Sequence, residues 1–126
     1  MNQVIELAGR LFLGHIFLLA GLNKLGEGYA GTAGYMESMG VPAGLLPLVI
    51  ATEIVAGLMV IVGFKVKWAA YALVGFTVVA SVVFHSNLAD QMQMILFMKN
   101  LSIMGGLLLL SVHGAGRFSI DSKLKN

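Results

Sequence analysis

Four long apolar stretches, at residues 4–25, 45–63, 68–86 and 92–113, constrain this chain more than any other feature. A membrane span needs about 20 predominantly apolar residues. The first stretch carries Glu6 and Lys24 near its ends and Arg10 further in. The second contains one charge, Glu53, the third none, and the fourth only Lys99. In a bilayer core each backbone N–H and C=O must be satisfied within the segment, so isolated spans of this kind are helices. They are also too long and too evenly apolar for the alternating pattern of a barrel strand. The expected fold is therefore all-α: a four-helix transmembrane bundle forming one domain over residues 1–126.

Composition supports lipid as the solvent. Hydrophobic residues make up 58% of the chain and charged residues 11%, against about 45–50% and about 25% in soluble domains. A net charge of +2 is too small and too scattered for nucleic-acid binding. The chain has no cysteine, which excludes thiol redox chemistry, thiolate metal sites and iron–sulfur ligation. The first stretch reads as a retained helix rather than a cleaved leader. Glu6 lies in its charged N-terminal region, no A-x-A site follows, and three further apolar segments come after it.

The connection between the first two stretches, GYAGTAGYMESMGVPAG, is rich in Gly, Tyr and Met. It predicts a short interfacial helix or an ordered loop. In the helical reading Thr32 caps the start, Gly40 stops the helix, and the aromatic and Met face turns to lipid. Lys65 and Lys67 lie in the second connection, and Arg117, Lys123 and Lys125 in the tail. This distribution predicts that both termini are cytoplasmic. Small residues at Gly14 and Gly21, Thr52 and Ala56, and Ser102 and Gly106 are the expected helix–helix contacts.

Polar residues at depth are the candidate site. At about 1.5 Å of rise per residue, Arg10, His15, Glu53, Lys99 and Asn100 fall in one slab near the middle. Glu53 is the sharpest of them, because a carboxylate in lipid is either protonated or paired with a cation. Arg10 and Lys99 are its expected partners. A second cluster, at the opposite face from the termini, holds Asn23, Lys24, Glu27, His85, Asn87 and Asp90. Arg10, Gly14, Phe17, Gly21 and Lys24 are spaced by three and four and share one helix face, which links the two clusters. His15, His85 and His113 lie at different depths, so no bis-histidine haem site is expected, and no spacing suggests zinc. Asn100-Leu101-Ser102 matches a glycosylation triplet but lies inside a span. Met92, Met94, Met98 and Met104 suit either packing or the wall of a pocket for a flat apolar ligand.

The runs RLFLGHIFLLAGLNKL, GYAGTAGYMESMGVP, LPLVIATEIVAGLMVIVGF, FHSNLAD, FMKNLSIMGG and the tail FSID resemble, in order and over nearly the whole chain, the small bacterial inner-membrane members of the DoxX family. The resemblance implies four transmembrane helices in a bacterial inner membrane. The family takes its name from a subunit of an archaeal thiosulfate:quinone oxidoreductase, and other relatives are associated with quinone or catechol stress. It therefore implies a membrane subunit of a quinone- or quinol-linked oxidoreductase system, with no redox centre of its own and a soluble or membrane partner that supplies electrons. Glu53 and His85 are the candidate proton-exchanging residues. The wider ligand-binding set is Arg10, His15, Lys24, Glu53, His85, Asn87, Lys99 and Asn100. Two other classes stay open: a non-catalytic scaffold or small-molecule binder, and an oligomeric transporter or proton channel.

Overall fold

The computed structural model describes residues 2–84 and 89–124. Its helices are α1 (Asn2–Asn23), α2 (Glu27–Ser38), α3 (Leu46–Val62), α4 (Val66–Phe84), α5 (Gln91–His113) and α6 (Ile120–Leu124), with a single 3-10 turn, Ala43–Leu45, leading into α3. There is no strand among the described residues. Helices α1, α3 (with its 3-10 turn), α4 and α5 are each long and apolar enough to cross a membrane. Their outer faces expose Phe12, Val55, Trp68, Leu109 and Val112, the pattern of a surface solvated by lipid.

α1 and α3 form the tightest pair in the bundle. The buried residues of α1 are Arg10, Gly14, Phe17 and Gly21, the face that their spacing predicts. Gly14 and Gly57 let the two backbones close up. A Cβ on Gly14 would stand 2.6 Å from Ile61 Cγ1 and 2.9 Å from the Gly57 carbonyl oxygen. The Ile61 side chain can swing aside, but the backbone oxygen cannot. Gly14→Val should therefore force the helices apart and destabilise the bundle by about 1–3 kcal/mol or more. Thermal unfolding in detergent measures this, and an unchanged midpoint would show that α1 and α3 have room for a side chain at Gly14.

α3 meets α4 through small residues, Ala56 against Ala69 and Ala70, around a core completed by Phe17, Val60, Leu73 and Leu107. α4 continues onto α5, whose contact with α1 is sparse. There Gly106 faces Leu13. Of the expected small-residue contacts, Gly14, Gly21, Ala56 and Gly106 lie in these interfaces, whereas Thr52 is half-buried with its hydroxyl bonded to the Leu48 carbonyl of its own helix and Ser102 is exposed.

The segment between α1 and α3 is helical, but α2 starts five residues before the expected cap. Thr32 lies inside it and its hydroxyl donates to the Gly28 carbonyl at 2.9 Å. The expected outward Met and aromatic face holds for Tyr29, Tyr35 and Met39, which are exposed, but not for Met36. Met36 is buried with Leu46 and Ile50, and Tyr35 stacks on Phe84 at 5.4 Å between ring centres. α2 thus caps one end of the bundle instead of floating beside it.

At the other end the chain returns over its own start. Gly63 closes α3 at φ 74°, a backbone that L side chains rarely adopt. The Asp121 carboxylate accepts from the Lys65 amide at 2.6 Å and the Val66 amide at 3.1 Å. It so supplies an anion to the N-terminus of α4. The Asp121 amide in turn donates to the Gly63 carbonyl at 2.8 Å.

Candidate functional site

A cavity of about 470 Å³ lies between the main core and α2. Its walls come from five helices. α1 contributes Phe17 and Ala20, α3 Val49, α4 Phe76 and Ala80, α5 Leu96 and Ile103, and α2 Tyr35 and Met36. The space exists for two reasons. Ala20, Thr77 and Ala80 offer little volume where larger side chains would fill the gap, and α5 leans only lightly on α1.

Two polar features interrupt this apolar lining. The first is an ion pair on the α1–α3 side, with the Lys24 Nζ 2.7 Å from the Glu53 Oε1. Lys24 also donates to the Ala20 carbonyl at 3.3 Å. Glu53 is buried at 4% exposure, and it is the only ion pair among the described residues. Gly21 makes the meeting possible, since a Cβ there would lie 3.1 Å from the Glu53 Cβ. The absence of a side chain at Gly21 brings Glu53 against α1 one turn below Lys24, and the lysine reaches back down to it.

The second feature is on α5, where Lys99 and Asn100 also line the cavity. The Asn100 amide donates to the Ser81 hydroxyl of α4 at 2.9 Å. That bond orients the side chain and leaves a carbonyl and one N–H available. Lys99 has no ion pair or hydrogen bond among the described residues.

The partner of Glu53 is therefore Lys24, and neither Arg10 nor Lys99 takes that place. Depth counting from segment ends put Arg10 and Glu53 in one slab, but the structure separates them. Arg10, 1% exposed, donates to the carbonyls of Ile61 at 2.9 Å and Val60 at 3.4 Å, and to that of Phe118 in the tail. Its targets lie about two turns along α3 from Glu53, or about 12 Å. The guanidinium there caps the C-terminal end of α3, where a cation is favoured by the exposed carbonyls. His15 is exposed and bonded to the Phe12 carbonyl of its own helix at 2.6 Å, away from the cavity. His85 and Asn87 lie outside the described residues. Met92, Met94, Met98 and Met104 do not line the cavity, which leaves packing and lipid contact as their role.

Of the predicted set, Lys24, Glu53, Lys99 and Asn100 share the cavity. Sequence reasoning missed Tyr35, Thr32 and Thr77 in its wall. No sequence signal marked Tyr35: it reaches the wall from the edge of α2, 49% exposed, by stacking on Phe84.

Four spans that enclose a side cavity with an ion pair in its wall define a small multi-pass membrane protein with a ligand-sized pocket. The profile of the DoxX family matches residues 5–86, and the chain belongs to that family. It is 46% identical to the inner membrane protein YqjF of Escherichia coli, over 98% of this chain and 95% of that one. It is 33% identical to the inner membrane protein YphA of the same organism, over 97% and 91% of the two chains. No solved structure matches it. Both relatives are inner membrane proteins, and with four apolar helices the chain is a multi-pass protein of the inner membrane.

Proposed function

We propose that the protein is the membrane-embedded ligand-binding subunit of a quinone- or quinol-linked oxidoreductase system, both termini cytoplasmic, with electrons supplied by a partner. The observation that carries this reading is the cavity. It is apolar enough for a ring, walled by Phe76, Phe84 and Tyr35, and furnished on two sides with groups that bond to oxygen. The Lys24–Glu53 pair offers one donor and one proton acceptor at a buried position. Lys99 and Asn100 offer donors from the facing helix. A quinone presents two carbonyl oxygens across an apolar ring, and this spread of donors suits it. Glu53 would take or return the proton that accompanies reduction. Family membership supports the same class.

Native mass spectrometry of the protein, extracted gently from its own membrane, tests the proposal. The expected result is a copurified quinone that is lost in Glu53→Gln. A folded wild-type bundle carrying lipid only would sink it. That outcome would favour a non-catalytic scaffold, the reading that the Arg10 clamp supports, since all its contacts serve folding.

A further inference from the structure

We infer that this cavity selects an apolar molecule bearing one ionised acidic oxygen, a carboxylate or a phenolate, with Lys99 as the residue that reads the charge. The inference rests on the cavity being a ligand site and goes beyond the proposed class of ligand, which is neutral in its quinone form.

The argument is one of charge. Three charged residues line the cavity: Lys24, Glu53 and Lys99. Lys24 and Glu53 cancel each other at 2.7 Å. That leaves Lys99 uncompensated among the described residues, in a wall that is otherwise almost wholly apolar. Lys99 sits eight residues into α5, about 12 Å from the start of the span. This is too deep for ordinary headgroup solvation. A cation at such depth is costly unless something pairs with it. The other polar groups in the wall do not serve. The Thr77 hydroxyl is committed to the Leu73 carbonyl at 2.7 Å and the Thr32 hydroxyl to Gly28. Asn100 is neutral: its donation to Ser81 leaves a carbonyl that can accept from an ammonium but brings no counter-charge, and an N–H that can donate to an anion. An anionic oxygen on an apolar body supplies the missing charge and fills the apolar volume with the same molecule. A carboxylate would otherwise be expelled from such a site by its desolvation cost. The preference therefore depends on the Lys99 ammonium and not on the shape of the cavity.

Two sources share this chemistry: a medium-chain fatty acid drawn from lipid, and a hydroxylated quinone ionised at its hydroxyl. Purified full-length protein in detergent would be offered equimolar decanoate and methyl decanoate, and separately 2-hydroxy-1,4-naphthoquinone and its methyl ether. Native mass spectrometry would count the bound masses. The expected result is a preference for the acid over its neutral partner in at least one pair, on the order of tenfold, as a charge-assisted hydrogen bond would give. Lys99→Gln should abolish the preference while Lys99→Arg retains it. Lys99 is exposed in the cavity wall and bonds to no described residue, so both variants should fold. Equal binding of acid and neutral partner, or a preference that survives Lys99→Gln, would overturn the inference while leaving the quinone reading intact. Selective binding of decanoate with neither naphthoquinone bound would uphold the inference and overturn the quinone reading. Binding of none of the four would overturn both.

Discussion

Replacing Arg10 by Ala should destabilise the bundle by about 3–5 kcal/mol, the cost of deleting a large buried side chain together with its charge-assisted hydrogen bonds to several carbonyls. Its guanidinium bonds to the carbonyls of Val60, Ile61 and Phe118, so one side chain joins α1, the end of α3 and the returning tail. Each carbonyl left buried without a donor costs about 1–3 kcal/mol. The side chain also packs against Gly63, where an added Cβ would lie 2.5 Å from the Arg10 Nη1. Its removal opens a void at the point where α3 turns into α4. The clamp is already imperfect, because the Arg10 Nε is buried with no partner among the described residues. Arg10→Lys should recover only part of the loss, since an ammonium lacks the planar fork that spans several carbonyls. Thermal or denaturant unfolding in detergent measures both variants. A loss below about 1 kcal/mol for Arg10→Ala, the scale of an ordinary hydrogen bond, would mean that water replaces the guanidinium and that the tail is not anchored through it.

The second large effect is at the cavity. Lys24→Met should cost about 3 kcal/mol, because it strands the Glu53 carboxylate in a buried position without its cation. The Lys24 side chain is 23% exposed, so the loss should sit at the low end of the range for buried pairs. Lys24→Met combined with Glu53→Leu should be more stable than Lys24→Met alone, since the stranded charge has gone. A double-mutant cycle reads this directly as a coupling energy. Additive losses, with no recovery in the double variant, would show that the pair does not hold α1 to α3. Arg10→Gln combined with Glu53→Gln should be additive within about 0.5 kcal/mol, as for sites with no shared partner. That comparison separates the structure from a slab in which the two residues meet.

Much of the fold was legible in the residues alone. Four apolar stretches in lipid have little choice but to be helices, because the bilayer offers no other partner for the backbone. The buried face of α1 was equally readable, because Arg10, Gly14, Phe17 and Gly21 recur with the helical period and no other α1 residue is buried. That face also passed through Lys24, so the link between the charge at its end and the interior was present in the spacing. Membership of the DoxX family followed from ordered matches along the chain, and the family profile covers residues 5–86.

What the sequence alone determined was which segments span the membrane and which side of α1 turns inward, both set by short-range periodicity and by the chemistry of the bilayer. The pairing of its charges was decided only in three dimensions. Counting residues from segment ends sets a depth on one helix but not the offset of one helix against another. Gly21, by letting Glu53 close on α1, and the tail, by presenting the Phe118 carbonyl beside the last turn of α3, fixed that offset. They sent Arg10 to the carbonyls of Val60 and Ile61 and gave Glu53 to Lys24. The cavity is likewise a product of assembly. It lies where five helices fail to close on one another, and the small residues Ala20, Thr77 and Ala80 that leave the gap look, within their own segments, like any other close-packing positions.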